Sequence, residues 1–185
     1  KAIKTTETAI AILSDLQDLN GLGEAHDNLG VIHRERKEYT SAATNFNKAL
    51  VYYESAGNKE KIAGVYHNVG TVFQKQKKYK NALIYLERSI AIREQFGSKN
   101  QIYHTYRILS DVYGDVGRTQ EAMGYLRRYV NYVDSNSTLQ AATKIAELSE
   151  QYRMEQRERL ILSQRDSLEK QQQERTLTAT KLENS

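Results

Sequence analysis

Hydrophobic positions in this chain follow the rhythm of helices, and then whole blocks of them repeat. Leu29-Gly30, Val69-Gly70 and Leu109-Ser110 lie forty residues apart, as do Ala42, Ala82 and Ala122. Phe46, Leu86 and Leu126 keep the same interval, and so do Leu22, Ile62 and Ile102. A fixed interval between about 20 and 50 residues marks stacked repeats in which each unit touches only its neighbours. In the first unit Ala25, His26, Leu29, Gly30 and His33 trace one helical face. A polar stretch, Arg34–Glu38, follows, and Ala42, Ala43, Phe46, Ala49, Leu50 and Tyr53 trace a second face.

Each unit therefore predicts helix, short turn, helix, longer turn. Ser55-Ala56-Gly57-Asn58 closes the first, with Gly57 suited to the left-handed conformation that ends a helix. The second unit runs through Val65, Tyr66, Val69, Gly70 and Phe73, then Tyr79, Ala82, Leu86 and Ile90, to a stop at Gly97-Ser98. The third shows Tyr106, Leu109, Ser110 and Tyr113, a turn at Gly117, then Ala122, Leu126, Tyr129 and Val130, ending over 134–137. The small residues at 30, 70 and 110 are expected to face the alanines at 42, 82 and 122, where the paired helices approach most closely.

The expected organisation is a second helix of a truncated repeat over 1–20, where Ala2, Thr6, Ala9 and Ile10 fit the columns, then repeats over 23–62, 63–102 and 103–137. A long capping or linker helix over 138–185 completes it. Because the chain opens in mid-repeat at Lys1, it reads as a fragment or processed product.

The columns resemble the tetratricopeptide repeat. Leu29, Gly30, His33, Tyr39, Ala42, Phe46 and Ala49 fit its pattern, as do Val69, Gly70, Phe73, Tyr79, Ala82, Leu86 and Ser89. Leu109, Ser110, Tyr113, Thr119, Ala122, Leu126 and Tyr129 fit less closely. The forty-residue unit exceeds the usual length of about 34, and no proline separates the units. The six extra residues are expected to lengthen the helices, in which the chain resembles the longer variant found in kinesin light chains and Leu-Gly-Asn-repeat adaptors. The resemblance implies an all-α, right-handed helical solenoid followed by a long C-terminal helix, with first helices lining a concave groove for a protein or peptide. It places Asp27, Asn28, Arg34, His67, Asn68, Gln74, Lys75, His104, Arg107 and Asp111 on that groove. Asp27 stands where relatives that grip a C-terminal carboxylate carry lysine, so that grip is not expected. Asn28 and Asn68 precede the Leu-Gly and Val-Gly pairs, where an amide both donates to and accepts from a peptide backbone. Ile108 breaks that ladder in the third unit.

The tail changes character. Ala142, Ile145, Ala146 and Leu148 begin a fourth first helix, but Ser149 and Glu150 fall in the Leu-Gly columns and no turn signal follows. From Leu139 to Leu182 there is neither glycine nor proline, so one continuous helix is expected, supported by Glu155–Arg159 and Asp166–Lys170. Met154, Ile161 and Leu168 lie seven apart with polar residues in the partner column, which suits a solvated capping helix or a linker pairing weakly with a second copy. The order of repeats and then a Glu/Gln/Arg-rich helix is similar to the sensing region of bacterial two-component sensor histidine kinases and related regulators. That likeness implies a protein- or peptide-binding sensor or scaffold segment, periplasmic rather than cytoplasmic, whose output domain lies outside these residues. The alternative is a stand-alone cytoplasmic adaptor holding a partner peptide.

Composition narrows the chemistry. With no cysteine there is no disulfide, thiol nucleophile or cysteine metal site. His26 and His33 occupy aromatic columns and are read as packing; His67 and His104 have no carboxylate at metal-binding spacing, so no metal is expected. No phosphate loop, nucleophile elbow or paired catalytic carboxylate is present, so no enzyme activity and no cofactor are assigned. The net charge of +4 is modest. Lys75, Lys77, Lys78 and Lys80, with Arg34, Arg36 and Lys37, share one edge, diluted by Glu35 and Glu38. They read as a solvated edge rather than a nucleic-acid surface.

Overall fold

The computed structural model describes residues 2–96, 102–132 and 135–183. Eight helices follow one another: α1 (Ala2–Asp15), α2 (Leu19–Glu35), α3 (Tyr39–Ser55), α4 (Lys59–Lys75), α5 (Tyr79–Gln95), α6 (Ile102–Asp115), α7 (Thr119–Val130) and α8 (Ser135–Glu183). No strand occurs among the described residues. The helices pack as antiparallel pairs α2/α3, α4/α5 and α6/α7, with α1 against α2 and α8 against α7. This is the expected tetratricopeptide-type solenoid. The stop placed at Gly97-Ser98 lies outside the described residues, as does Asp134, while Ser135 already belongs to α8.

Every pair meets through the small-residue columns. A Cβ on Gly70 would come within 2.6 Å of Leu86 Cγ, and one on Gly30 would collide with the Phe46 ring. The glycines thus face Phe46 and Leu86, one turn beyond the alanines expected opposite them, and a Cβ on Gly70 would also lie 3.3 Å from the carbonyl of Ala82. Ser110 has a Cβ, and it bridges instead: its Oγ donates to the Ala122 carbonyl at 2.9 Å. Ala42, Phe46, Ala82, Leu86, Leu109 and Ala122 are completely buried. Half-buried Phe73 packs against both the α3–α4 and the α5–α8 clusters, so the core runs on from unit to unit. Tyrosines add to the later junctions. Tyr113 donates to Glu87, Tyr106 donates to Glu94 Oε1 at 3.2 Å, and the Arg118 guanidinium lies 4.6 Å from the Tyr113 ring centre.

A shorter period sits inside the long one. Gln17, Lys37, Gly57, Lys77 and Gly117 all have positive φ, at 55°, 63°, 68°, 58° and 75°. Each closes a helix by the same pair of bonds: Lys37 N–H donates to the Arg34 carbonyl at 2.9 Å, and Glu38 N–H to the His33 carbonyl at 2.9 Å. The links 36–38, 56–58 and 76–78 are therefore equally short, and the alternation of short and longer turns expected from the sequence is absent there. Side-chain caps mark the first helices, with Asp18 accepting from Gly21 N–H at 2.9 Å and Asn58 from Lys61 N–H at 3.2 Å.

The fourth unit is better formed than its sequence suggests. Leu148 is buried in the α5–α8 cluster, with Ile145 and Tyr152 packed on it. These match Leu109, Tyr106 and Tyr113 at a spacing of thirty-nine rather than forty. Ser149 then takes the place of Ser110 and reaches Met123 Sδ at 3.0 Å. Glu155 accepts from Thr119 Oγ1 at 3.0 Å and from Gln151 Nε2 at 3.3 Å, in place of the expected Arg159 contact. Farther on, Arg165 pairs with Glu169 at 3.0 Å. Met154, Leu160, Ile161, Leu162 and Leu168 are all more than half exposed. No helix is long and apolar enough to cross a membrane among the described residues.

Lysine in the left-handed region is strained by its Cβ, and glycine is not. Lys37→Gly and Lys77→Gly are each expected to raise the stability by about 0.5–1 kcal/mol in chemical denaturation. Gly70→Ala is expected to lower it by about 1–3 kcal/mol through overpacking against Leu86. Unchanged denaturation midpoints for all three would contradict this account of the turns and contacts.

Candidate functional groove

The first helices α2, α4 and α6 lie side by side, and hydrogen bonds tie them across their open face. Asn68 Nδ2 donates to Asp27 Oδ1 at 2.9 Å, and Arg34 Nη1 donates to Asn68 Oδ1 at 3.1 Å. The Arg34 fork also holds Glu35, at 2.9 and 3.1 Å. His67 Nδ1 and Thr105 Oγ1 are hydrogen-bonded at 2.9 Å, carrying the ties from α4 to α6. Between these bonds opens a cavity of about 330 Å³ lined by Asp27, Glu60, Lys61, Gly64, His67, Asn68 and Arg93.

The structure thus joins Asp27, Asn68 and Arg34 by hydrogen bonds and places Asp27, Asn68 and His67 on the wall of one cavity. The other expected groove residues are distributed differently. Asn28 is exposed in a shallow hollow beside Thr5, Thr6, Ala9 and Leu13 of α1, away from Asn68. Asn68 has a preceding first helix to bond to, and no such helix stands beside Asn28 among the described residues. Gln74 is half-buried and Lys75 exposed near the end of α4, while His104 and Arg107 are exposed on α6. Asp111 lines a second cavity of about 350 Å³ with Ser110, Gly114, Asp115, Lys144, Leu148 and Gln151. Here α8 forms the opposite wall, as a first helix of a further unit would.

His26 is buried, stacked on Tyr52 with ring centres 5.6 Å apart, and its Nδ1 lies 3.1 Å from Asn45 Oδ1. His33 is half-buried and bonded to Glu38. Among the described residues no group of three or more His, Cys, Asp or Glu is placed to hold a metal ion. Arg93 is a groove residue that the sequence reading did not single out. It is only 4% exposed, comes from the second helix α5, and its Nε lies 3.4 Å from Ser89 Oγ. Its column is shared with Tyr53, which reads as packing, so periodicity concealed it.

Burial dominates the electrostatics. It raises the Asp27 carboxyl, against the hydrogen bond from Asn68 and the nearby charges of Lys61 and Arg34. Burial also raises Asp111, against Arg107, Lys144 and Lys75. The His67 imidazole is pushed down to about 4 by burial, then by Arg93, Arg34 and His104. His104 is lowered by burial, then by Arg107 and Arg93.

The sign for His67 follows directly. Between its folded value of about 4 and the ordinary 6.5 the unfolded chain holds a proton that the folded chain does not. Its contribution is complete above pH 6.5 and is lost as pH falls towards 4. The raised Asp27 and Asp111 act in the opposite sense, in the window above 3.8. Between pH 7 and pH 5 the protein is expected to lose on the order of 1–2 kcal/mol to His67, a slope that His67→Gln flattens in urea titrations. Equal slopes in the two proteins would contradict a buried, neutral imidazole.

Residues 61–134 match the family described as Tetratricopeptide repeat. No curated protein matches the chain significantly. Several solved structures are similar in fold. Aspartyl phosphate phosphatase F from Bacillus subtilis superposes with a TM-score of 0.70 at 19% identity, over 79% of this chain and 38% of that one. BtubC (BKLC) from P. vanneervenii gives 0.65 at 16% identity, over 73% of this chain and 58% of that one. The nearly identical TPR-like repeats of a Podosopora anserina kinesin light chain give 0.65 at 16% identity, over 88% and 82%. The chain therefore spans 38% of the first of these proteins and 58% of the second, less than two thirds of each. At these identities the likeness shows fold alone: the described residues form a tetratricopeptide-type solenoid, and the part that matches the repeat family runs from α4 into α7.

Proposed function

We propose that this chain is the ligand-binding scaffold segment of a bacterial signalling protein of the two-component type, taking an extended protein segment in the groove of α2, α4 and α6. The observation that carries it is the line of polar ties across the first helices. Asn68–Asp27 and Arg34–Asn68 are side-chain bonds along the groove, where a peptide backbone offers the same donors and acceptors, and His67–Thr105 lies beneath them with Thr105 fully buried. A guest that exchanges with them alters the spacing of the first helices and hence the curvature of the stack.

The tail gives that change somewhere to go. From Ile145 to Glu155 α8 packs as the first helix of a fourth unit, and it then continues to Glu183 without a break. At 1.5 Å per residue the remainder projects by roughly 40 Å, so a small tilt of the last unit becomes a large displacement at its end. The similarity in fold to a bacterial aspartyl phosphate phosphatase supports a signalling setting. Pairing of α8 with a second copy belongs to the same reading.

Two measurements test it. Short blocked peptides selected on the chain are expected to bind about tenfold more weakly to Asn68→Leu, and equally well to Val51→Lys and Ile84→Lys on exposed second-helix positions. Equal losses at all three would place the ligand elsewhere. These residues hold no cysteine, so Ile161→Cys in the full-length protein, with any cysteine outside them replaced by serine, reports pairing of the tail. Ligand-dependent cross-linking is expected, and no cross-link with or without ligand would end the transmission idea while leaving the groove intact.

A further inference from the structure

We propose that the edge of the solenoid formed by the turns at 36–38 and 76–78 docks an acidic segment of a partner protein, through Arg36, Lys37, Lys75, Lys77, Lys78 and Lys80. This is a second surface, separate from the groove, and it goes beyond the function proposed above.

The topology assembles the edge. Links 36–38, 76–78 and 116–118 each join the two helices of one pair, so all three turn on the same side of the stack. The link 56–58 turns on the other side. The sequence reading leaves the cations here as a solvated edge, but the folded chain treats its other exposed cations differently. Lys61 stands beside Glu24, Arg118 beside Glu121, Arg128 beside Glu94 and Arg165 beside Glu169. The six cations of this edge are exposed, and among the described residues none of them has a side-chain hydrogen bond or ion pair. The nearby carboxylates are taken by other groups: Glu35 holds Arg34, Glu38 holds His33, and Asp115 is hydrogen-bonded to Tyr79. Lys75 acts on Asp111 through space, together with Arg107 and Lys144.

Two of the six are placed at a cost. Lys37 and Lys77 occupy the turns with φ of 63° and 58°, in the left-handed region where a Cβ is crowded. The matching turn of the third unit, where Arg118 pairs with Glu121, carries Gly117 instead. Gln17 adopts the same conformation on the opposite edge, so strain by itself marks no site. Here strain coincides with crowded, unpaired positive charge, and a bound anion offsets both.

The shape of the partner follows from α8. First helices run towards this edge, and α8 reaches it where Tyr152 meets Gln120 and Glu155 meets Thr119, at the start of α7. It then continues past the edge by roughly 40 Å, so a flat anionic bilayer laid there would strike it. A nucleic acid carries phosphate evenly along its length and gains from stacking on aromatic rings. The surplus of cations stops at the third unit, and the tyrosines beside it, Tyr39 and Tyr79, are half-buried. A short run of Asp or Glu, flexible enough to lie across two turns, suits point charges on long lysine stems.

The test titrates a blocked peptide alternating Glu and Gly onto the intact chain, beside its Gln counterpart. The Glu peptide is expected to bind and the Gln peptide not, and neither oligothymidylate nor vesicles containing an anionic lipid should displace it. Lys37→Gly combined with Lys77→Gly is expected to weaken the Glu peptide about tenfold while making the protein more stable. Because affinity and stability move in opposite directions, unfolding cannot account for the loss. Lys48→Gln combined with Lys59→Gln removes the same charge from exposed positions off this edge, and is expected to weaken binding by about twofold at most. Equal losses for the two double variants mean diffuse attraction and overturn the proposal, as does displacement by oligothymidylate or by vesicles. Asn68→Leu is expected to bind the Glu peptide unchanged. Loss of binding there places the peptide in the groove, which overturns the edge and leaves the groove reading intact.

Discussion

Close approach of paired helices at Gly30, Gly70 and Ser110 is the constraint on which the rest of the molecule depends. Where the first helix carries no side chain, the ring of Phe46 or the branch of Leu86 sits directly on its backbone, and both are wholly buried. Contacts of this kind tolerate neither a larger nor a shifted neighbour, because protein interiors are packed as densely as molecular crystals. They set how closely each pair packs, and the same approach repeated from pair to pair produces a stack with one open flank. The groove is a consequence of that repetition. No residue on its surface had to be chosen to create it, so its surface chemistry is available for other work.

That freedom explains the character of the groove side chains. Asp27, Asn68, His67 and Thr105 are bonded to one another across helices instead of being left to water. Their bonds run between first helices, whereas the burial that stabilises each unit lies between first and second helices and in the α3–α4 and α5–α8 clusters. The packed seam and the polar ties between first helices are thus separate sets of contacts.

The forty-residue period was legible because it is written in side chains that touch: Leu29, Ala42 and Phe46 recur since the space around them recurs. The twenty-residue period of the turns was hidden. It lives in backbone angles, and the left-handed position holds glycine at 57 and 117 but lysine at 37 and 77 and glutamine at 17. Among the candidate groove residues, Asp27, Arg34 and Asn68 come together by hydrogen bonds. Asn28 does not join them, because a column predicts a direction and not a neighbour, and the neighbouring first helix that Asn68 uses is missing beside Asn28 among the described residues. Arg93 escaped for the converse reason, its column being filled by an aromatic in the other unit. The start of the fourth first helix was legible, but its continuation was not, because one residue fewer precedes it, which put Leu148 and Ser149 out of phase with every earlier pair.

The thirty-nine-residue spacing also explains why α8 never turns back. Gln156 falls in the turn column of Gly117, and since Gln17, Lys37 and Lys77 close helices there without glycine, its identity does not forbid a turn. The obstacle lies further on. A returning helix would bring Ile161 to the column of Ala122 and Arg165 to that of Leu126. The alanine column is completely buried, and a branched side chain there would cost about 1–3 kcal/mol in overpacking. The Leu126 column is buried too, and an arginine placed in it would have to leave water, at a cost of several kcal/mol unless paired. Running straight on leaves Ile161 in solvent and lets Arg165 pair with Glu169 on the surface. The helix is therefore extended by default, because the sequence that follows Glu155 cannot supply the buried half of a pair. The last unit therefore holds its first helix packed from Ile145 to Glu155, and the same helix runs on with Leu160, Ile161, Leu162 and Leu168 in solvent.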